Sequence, residues 1–154
     1  MADNDDLYTP MLDSIIELLK TDTDFKAHLE PVQFYSKMPR RANDPMPAIH
    51  LRFTGLEDVE DDAHRVGAWN ALSIEVYDDG EDEKGPTLYR KFHAIWMVLT
   101  RKANRQLGDP QASPHQVVDC RFVGANIAMF ALEGGGTAVG AELRFRVYTN
   151  TPRT

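Results

Sequence analysis

Five carboxylates crowd residues 78 to 83, where "YDDGEDEKGP" carries Asp78, Asp79, Glu81, Asp82 and Glu83. Acids this dense have two chemistries open to them, chelation of a hard cation and general acid–base catalysis. A calcium loop wants oxygen donors at alternating positions, a glycine at the sixth and a bidentate glutamate at the twelfth. Here Gly80 falls too early, and Thr87, Leu88 and Tyr89 stand downstream where an acid is needed. Acid–base work wants two carboxylates driven apart in pKa, commonly by burying one. Neighbouring acids in a polar loop are expected to be solvated alike. The simpler reading is a charged loop ahead of Pro86, placing negative charge at the positive end of a following helix.

The other reactive residues are scattered. His28, His50, His64, His93 and His115 show neither H-x₃-H nor H-E-x-x-H spacing, so any zinc site would have to be assembled by the fold alone. Ser14, Ser36, Ser73 and Ser113 lack a G-x-S-x-G setting, and Cys120 lacks the local signature of a catalytic thiol. "EGGGTAVG" has no lysine and precedes a strand, so it reads as a hairpin tip and not as a phosphate loop. No catalytic residue, metal ligand or cofactor is assigned, and the chain is expected not to be an enzyme.

The elements around these residues follow from periodicity. "TPMLDSIIELLK" offers Thr9 as N-cap and Pro10 at the first helical position, with Met11, Leu12, Ile15, Ile16 and Leu19 at helical spacing. After the proline- and arginine-bearing segment 36–47, Ile49, Leu51 and Phe53 alternate with His50 and Arg52, a strand. A polar, acidic connection, "GLEDVEDDAHRVG", leads to a second strand with Leu72, Ile74 and Val76 on one face. In "TLYRKFHAIWMVLTRKANRQLG", Leu88, Phe92, Ile95, Trp96 and Leu99 form one broad helix face. Arg101, Lys102 and Arg105 fall in its last turns, and Gly108 with Pro110 stops it. Two more strands surround the glycine tract 134–136. The order α-β-β-α-β-β predicts a single α+β domain over 1–154, a small, mostly antiparallel sheet packed by two helices, with loose ends at about 1–7 and 150–154.

Composition bounds the partners. The chain has 154 residues, 42% hydrophobic and 27% charged, enough for one buried core. Its formal net charge of −7 argues against a phosphate backbone or an anionic membrane as the main partner. One cysteine precludes an internal disulfide. No run nears the ~18 apolar residues of a membrane-spanning helix, and "MADNDDLYTP" lacks a signal peptide's basic start and apolar core, which fits a reducing cytoplasm or something assembled there.

Two strands carry mixed charge opposite their apolar faces. In "AELRFRVYT" these are Glu142, Arg144 and Arg146, and in "VVDCRFV" they are Asp119 and Arg121. A sheet face bearing both signs is either plainly solvated or meets another protein. The candidate interface residues are Arg121, Glu142, Arg144 and Arg146, with Arg40 and Arg41 on the extended arm.

The stretch "PAIHLRFTGLEDVEDDAHRVGAWNALSIEVYDDG" and the helix "LYRKFHAIWMVL" carry a resemblance. They resemble the minor tail protein U family of lambda-like phages, the tail terminator proteins. The correspondence comprises Pro47-Ala48 opening a strand, Thr54-Gly55 at its end, an acidic hairpin, Trp69 opening the next strand, and "LSIEVY" before a loop and helix. It is good over 31–100 and looser over 117–150; the glycine tract and the "QASPHQ" linker have no counterpart. The resemblance implies a hexameric ring that caps the head-proximal end of a tail tube. Such a ring would halt polymerisation of the major tail tube protein and receive the head-tail connector protein, the virion being assembled in a bacterial cytoplasm. In that ring Asp78, Asp79, Glu81 and Asp82 would line or flank the channel and leave a passing genome unbound. The alternatives are another head-tail neck or connector completion protein and, further off, a small metal- or ligand-binding module.

Overall fold

The computed structural model describes residues 6–29, 32–36, 48–79, 85–110, 115–131 and 137–153. The elements are α1 (Tyr8–Thr21), α2 (Lys26–Leu29), β1 (Gln33–Tyr35), β2 (Ala48–Asp61), β3 (Arg65–Asp79), α3 (Gly85–Thr100), a 3-10 turn (Lys102–Asn104), β4 (Gln116–Ala131) and β5 (Thr137–Pro152). They build one five-stranded sheet in the order β1-β2-β3-β5-β4. The fold is α+β, but the expected α-β-β-α-β-β lacks a strand and a helix. β1 has three residues and pairs parallel to β2, which makes the sheet mixed, and α2 is a single turn. Elements this short leave no period to read. All other pairings are antiparallel.

The helices cover one face. Met11, Ile15 and Leu19 of α1 and Leu88, Ile95 and Leu99 of α3 join Leu51, Leu72, Ile74, Leu143, Phe145 and Val147 in a single buried core. Each such side chain, once buried, contributes about 1.5–3 kcal/mol of transfer free energy. Asn70 is fully buried on this face, and its amide donates to the Val147 carbonyl (3.0 Å) and the Thr149 hydroxyl (2.9 Å) while accepting from the Tyr8 hydroxyl (3.2 Å). These bonds join α1 to the sheet.

Several boundaries differ from those expected. α1 begins at Tyr8 after Leu7, and the Asp6 carboxylate just ahead of it accepts from the Thr9 N–H (2.5 Å) and hydroxyl (2.9 Å). α3 stops at Thr100 and does not run on toward Gly108. The Asn104 amide donates to the Val98 carbonyl (2.7 Å) in place of a further helical turn, and Arg101 turns away to Asp22 and Asp24 at 3.3 and 2.7 Å. Gly108 takes φ +71°, a conformation L side chains rarely adopt, between the left-handed Leu107 and Asp109 in the turn beside α1. The Ser14 hydroxyl donates to the Leu107 carbonyl and ties that turn to α1. Residues 150–152, expected as a loose end, finish β5, and the Arg153 N–H donates to the His64 carbonyl (2.7 Å).

The acidic connection is the largest departure. Residues 55–61 and 65–67 are strand, leaving 62–64 as the turn, in which the Asp62 carboxylate accepts from the N–H groups of His64 (2.8 Å) and Arg65 (2.9 Å). Two register shifts, at Phe53/Gly55 and Glu57/Glu60, bend this hairpin, and Asp58 takes a left-handed φ of 50° in the second.

Candidate functional site

Opposite the helices no described element covers the sheet, and at the centre of that face is Trp69. The indole faces the guanidinium groups of Arg146 at 4.9 Å and Arg121 at 5.2 Å and leans on Tyr148 with centroids 5.1 Å apart. Register places them together: Trp69 pairs with Tyr148, and Ala71 with Arg146, which pairs in turn with Arg121. Arg146 then reaches Glu57 (3.2 Å) and Asp58 (2.5 Å), while Arg65 donates to the Tyr148 hydroxyl (3.2 Å), which lies against Gly67. Hydrogen bonding to Tyr148 is the first cause that raises the Arg65 pKa above its ordinary value. These contacts fasten the acidic hairpin to β5. That is why seven consecutive positions rich in Asp and Glu tolerate a strand.

The charges foreseen on this face are thus engaged within the chain. Arg121 pairs with Asp119 (2.9 Å), Arg144 with Glu142 (3.2 Å), and Glu142 also accepts from Ser73 Oγ (2.9 Å). Asp119 is nearly buried and is also gripped by Arg105 (3.0 Å) from the turn after α3. Burial pushes its carboxyl pKa up, but the hydrogen bonds and charges of Arg105 and Arg121 outweigh that and hold it below the ordinary aspartate value. Arg40 and Arg41 lie outside the described residues.

The acid run divides. Asp78 is not solvated in a loop: it lies in β3 on the helix-covered face, 2% exposed, and pairs with Lys91 of α3 at 3.1 Å. Alternation continues two residues past Val76 and carries it inward, and α3 meets it with the one lysine on its buried stripe. Asp78 therefore cannot line a channel from this position. Asp79 ends β3; Glu81 and Asp82, like the glycine tract 134–136, lie outside the described residues. Among the described residues no three His, Cys, Asp or Glu side chains gather as metal ligands, and no helix is long and apolar enough to cross a membrane.

Trp96, expected in the core, is 39% exposed and touches Phe122 of β4 (5.9 Å between centroids), because the buried stripe of α3 runs through Lys91, Ala94 and Val98 instead. Cys120 does face the core, and burial pushes its thiol up to about 12. The register shift at Val117/Asp119 leaves Val118 exposed, whereas Phe122 stays opposite Phe145, with ring centroids 5.4 Å apart, and is 37% exposed.

Exposed apolar side chains gather along the two outer edges of the sheet. Leu56 and Val59 lie on the distal half of β2, beyond the stretch that β1 covers, and Val118, Phe122, Val123 and Ile127 lie on β4. A basic cleft of about 340 Å³, lined by Lys102, Arg105 and Val118 among others, adjoins β4. Sequence reasoning passed over these residues, although Val59 standing alone among acids was a readable signal. Among the described residues the arrangement is one of charges fastened by ion pairs beside apolar rims.

No protein-family model matches this chain, and no curated protein matches it. Its fold is that of a chain in a solved structure described as the virion of a native gene transfer agent particle. The two agree at a TM-score of 0.59 and 18% sequence identity, over 90% of this chain and 93% of the other. At that identity the likeness defines an architecture shared over nearly the full length of both chains.

Proposed function

We propose that this chain is a structural subunit of a phage-like virion and, within it, a tail-completion protein acting by shape and surface charge without bond chemistry. Copies close into a six-membered ring at the head-proximal end of the tail tube, stop addition of tube subunits and offer a face to the head connector. The observation that carries this reading is the end-to-end architectural match to a chain of a virion particle. Two features are consistent with it. The open face stiffens the hairpin with ion pairs, and the rims of the sheet keep apolar residues in water, as an assembling subunit does before its neighbours arrive.

The test is the length of the tail. Cells that produce the particle but lack this chain should yield tubes longer than normal and without heads, measured by negative-stain electron microscopy. Tails of normal length that fail to join heads would assign the chain to a neck component on the head side. Intact particles of normal length would remove the reading altogether.

A further inference from the structure

We propose that copies of this chain join head to tail through the two open edges of the sheet, β4 of one copy lying against residues 54–61 of β2 in the next. This deepens the reading above and rests on it only for closure into a ring.

Three observations lead to it. First, among the described residues the sheet order leaves β4 at one end with β5 as its sole strand neighbour, while at the other end β1 pairs with Ala48 to His50 of β2 and no further. Two long edges at opposite ends of one sheet are different surfaces, as a head-to-tail contact needs. Second, of the nine large hydrophobic side chains exposed among the described residues, six lie on these edges: Leu56 (55%) and Val59 (53%) on one, Val118 (42%), Phe122 (37%), Val123 (54%) and Ile127 (50%) on the other. Edge strands are ordinarily guarded against this kind of display. Third, the charges beside them are opposite. Beside β4, Lys102, Arg105 and Arg121 stand with the carboxylate of Asp119, a net of two positive among these four. On the hairpin, Glu57, Asp58, Glu60, Asp61 and Asp62 stand against Arg65, Arg146 and Arg153, a net of two negative.

An edge meeting its own kind would bring like charge together, which disfavours a symmetric dimer through either edge. An edge meeting the opposite one pairs apolar with apolar and positive with negative. The register shifts in β2 interrupt its outer rim, so the contact is one of side chains and charge more than a continued hydrogen-bond ladder.

The experiment uses the full chain and two single variants, Val123→Asp on β4 and Val59→Asp on the hairpin, each at a side chain more than half exposed. Circular dichroism and the unfolding midpoint should match the wild type. By sedimentation equilibrium the wild type should form species larger than a dimer, and each variant should lose self-association by about tenfold or more. Mixed, the variants should form 1:1 pairs and nothing larger, since each keeps the edge the other has lost. A wild type that stays monomeric up to about 1 mM, a concentration that detects even weak association, would overturn the proposal. So would one variant assembling normally while the other does not, the mark of a symmetric contact, or both assembling normally. Assembly lost in both variants while tails lacking the chain keep normal length would leave this interface standing and remove the tail-completion reading. Overlong tails in the chain's absence, with assembly intact in both variants, would do the reverse.

Discussion

On the helix-covered face of the sheet, Leu72, Ile74, Leu143 and Phe145 are shut away from water, whereas one residue out of step on the same two strands Ser73, Glu75, Glu142 and Arg144 carry charge or hydroxyl. The covered face is held by burial, which salt does not screen. The open face is held by ion pairs and by cations stacked on Trp69, each worth about 0.5–1 kcal/mol where solvent still reaches. One strand pair thus divides its work, stability on one side and shaping of the hairpin on the other. The Asp78–Lys91 pair is the exception, a charged contact set inside the covered face.

The comparison breaks most visibly at Phe145. Replacing it with alanine should cost about 4 kcal/mol of stability, from lost transfer energy and the cavity left behind, read by urea denaturation. Lys91→Met should cost about 3 kcal/mol because it removes the cation beside a buried carboxylate, and adding Asp78→Leu should recover most of that. A double variant no better than the single one would show that the pair is not a unit. On the open face Arg146→Ala should cost only about 1 kcal/mol, and less as salt is raised. A salt-independent cost near that of Phe145→Ala would erase the distinction between the faces.

Two smaller effects sharpen it. Asp119 has a folded pKa below its ordinary 3.8, so its contribution is complete above that value and is lost as pH falls through it toward the folded pKa. Asp119→Asn should therefore flatten the acid limb of stability below about pH 4, though only in part, because Asp6 and Asp62 are also lowered by hydrogen bonds from backbone N–H groups. Cys120, with its thiol pushed up to about 12, should resist alkylation at pH 8 in the native protein and react once unfolded.

Periodicity made α1, α3 and the inward alternation of Ile49–Phe53, Leu72–Val76 and Ala141–Val147 legible, because a helix stripe and a strand face are local properties of the chain. The hairpin was not legible. Its acids become strand through Arg146 and Arg153, 88 and 92 residues away along the chain, and no local window holds both partners. Asp78 was misplaced for the same reason: its neighbours in sequence are acids, but its neighbour in space is Lys91. The interface residues named from alternation do share one face, yet the pairing that occupies Arg121, Arg144 and Arg146 needs the register, which a single strand does not contain. The exposed rim of β4 depends on two register shifts that no residue type announces.

The most direct measurement of the central claim is the position of this chain in an intact particle, by cryo-electron microscopy of purified virions. The account predicts one ring of six copies between the tail tube and the head, with β4 of each subunit against the β2–β3 hairpin of the next. Absence of the chain from the particle, or density for it away from that junction, would contradict it.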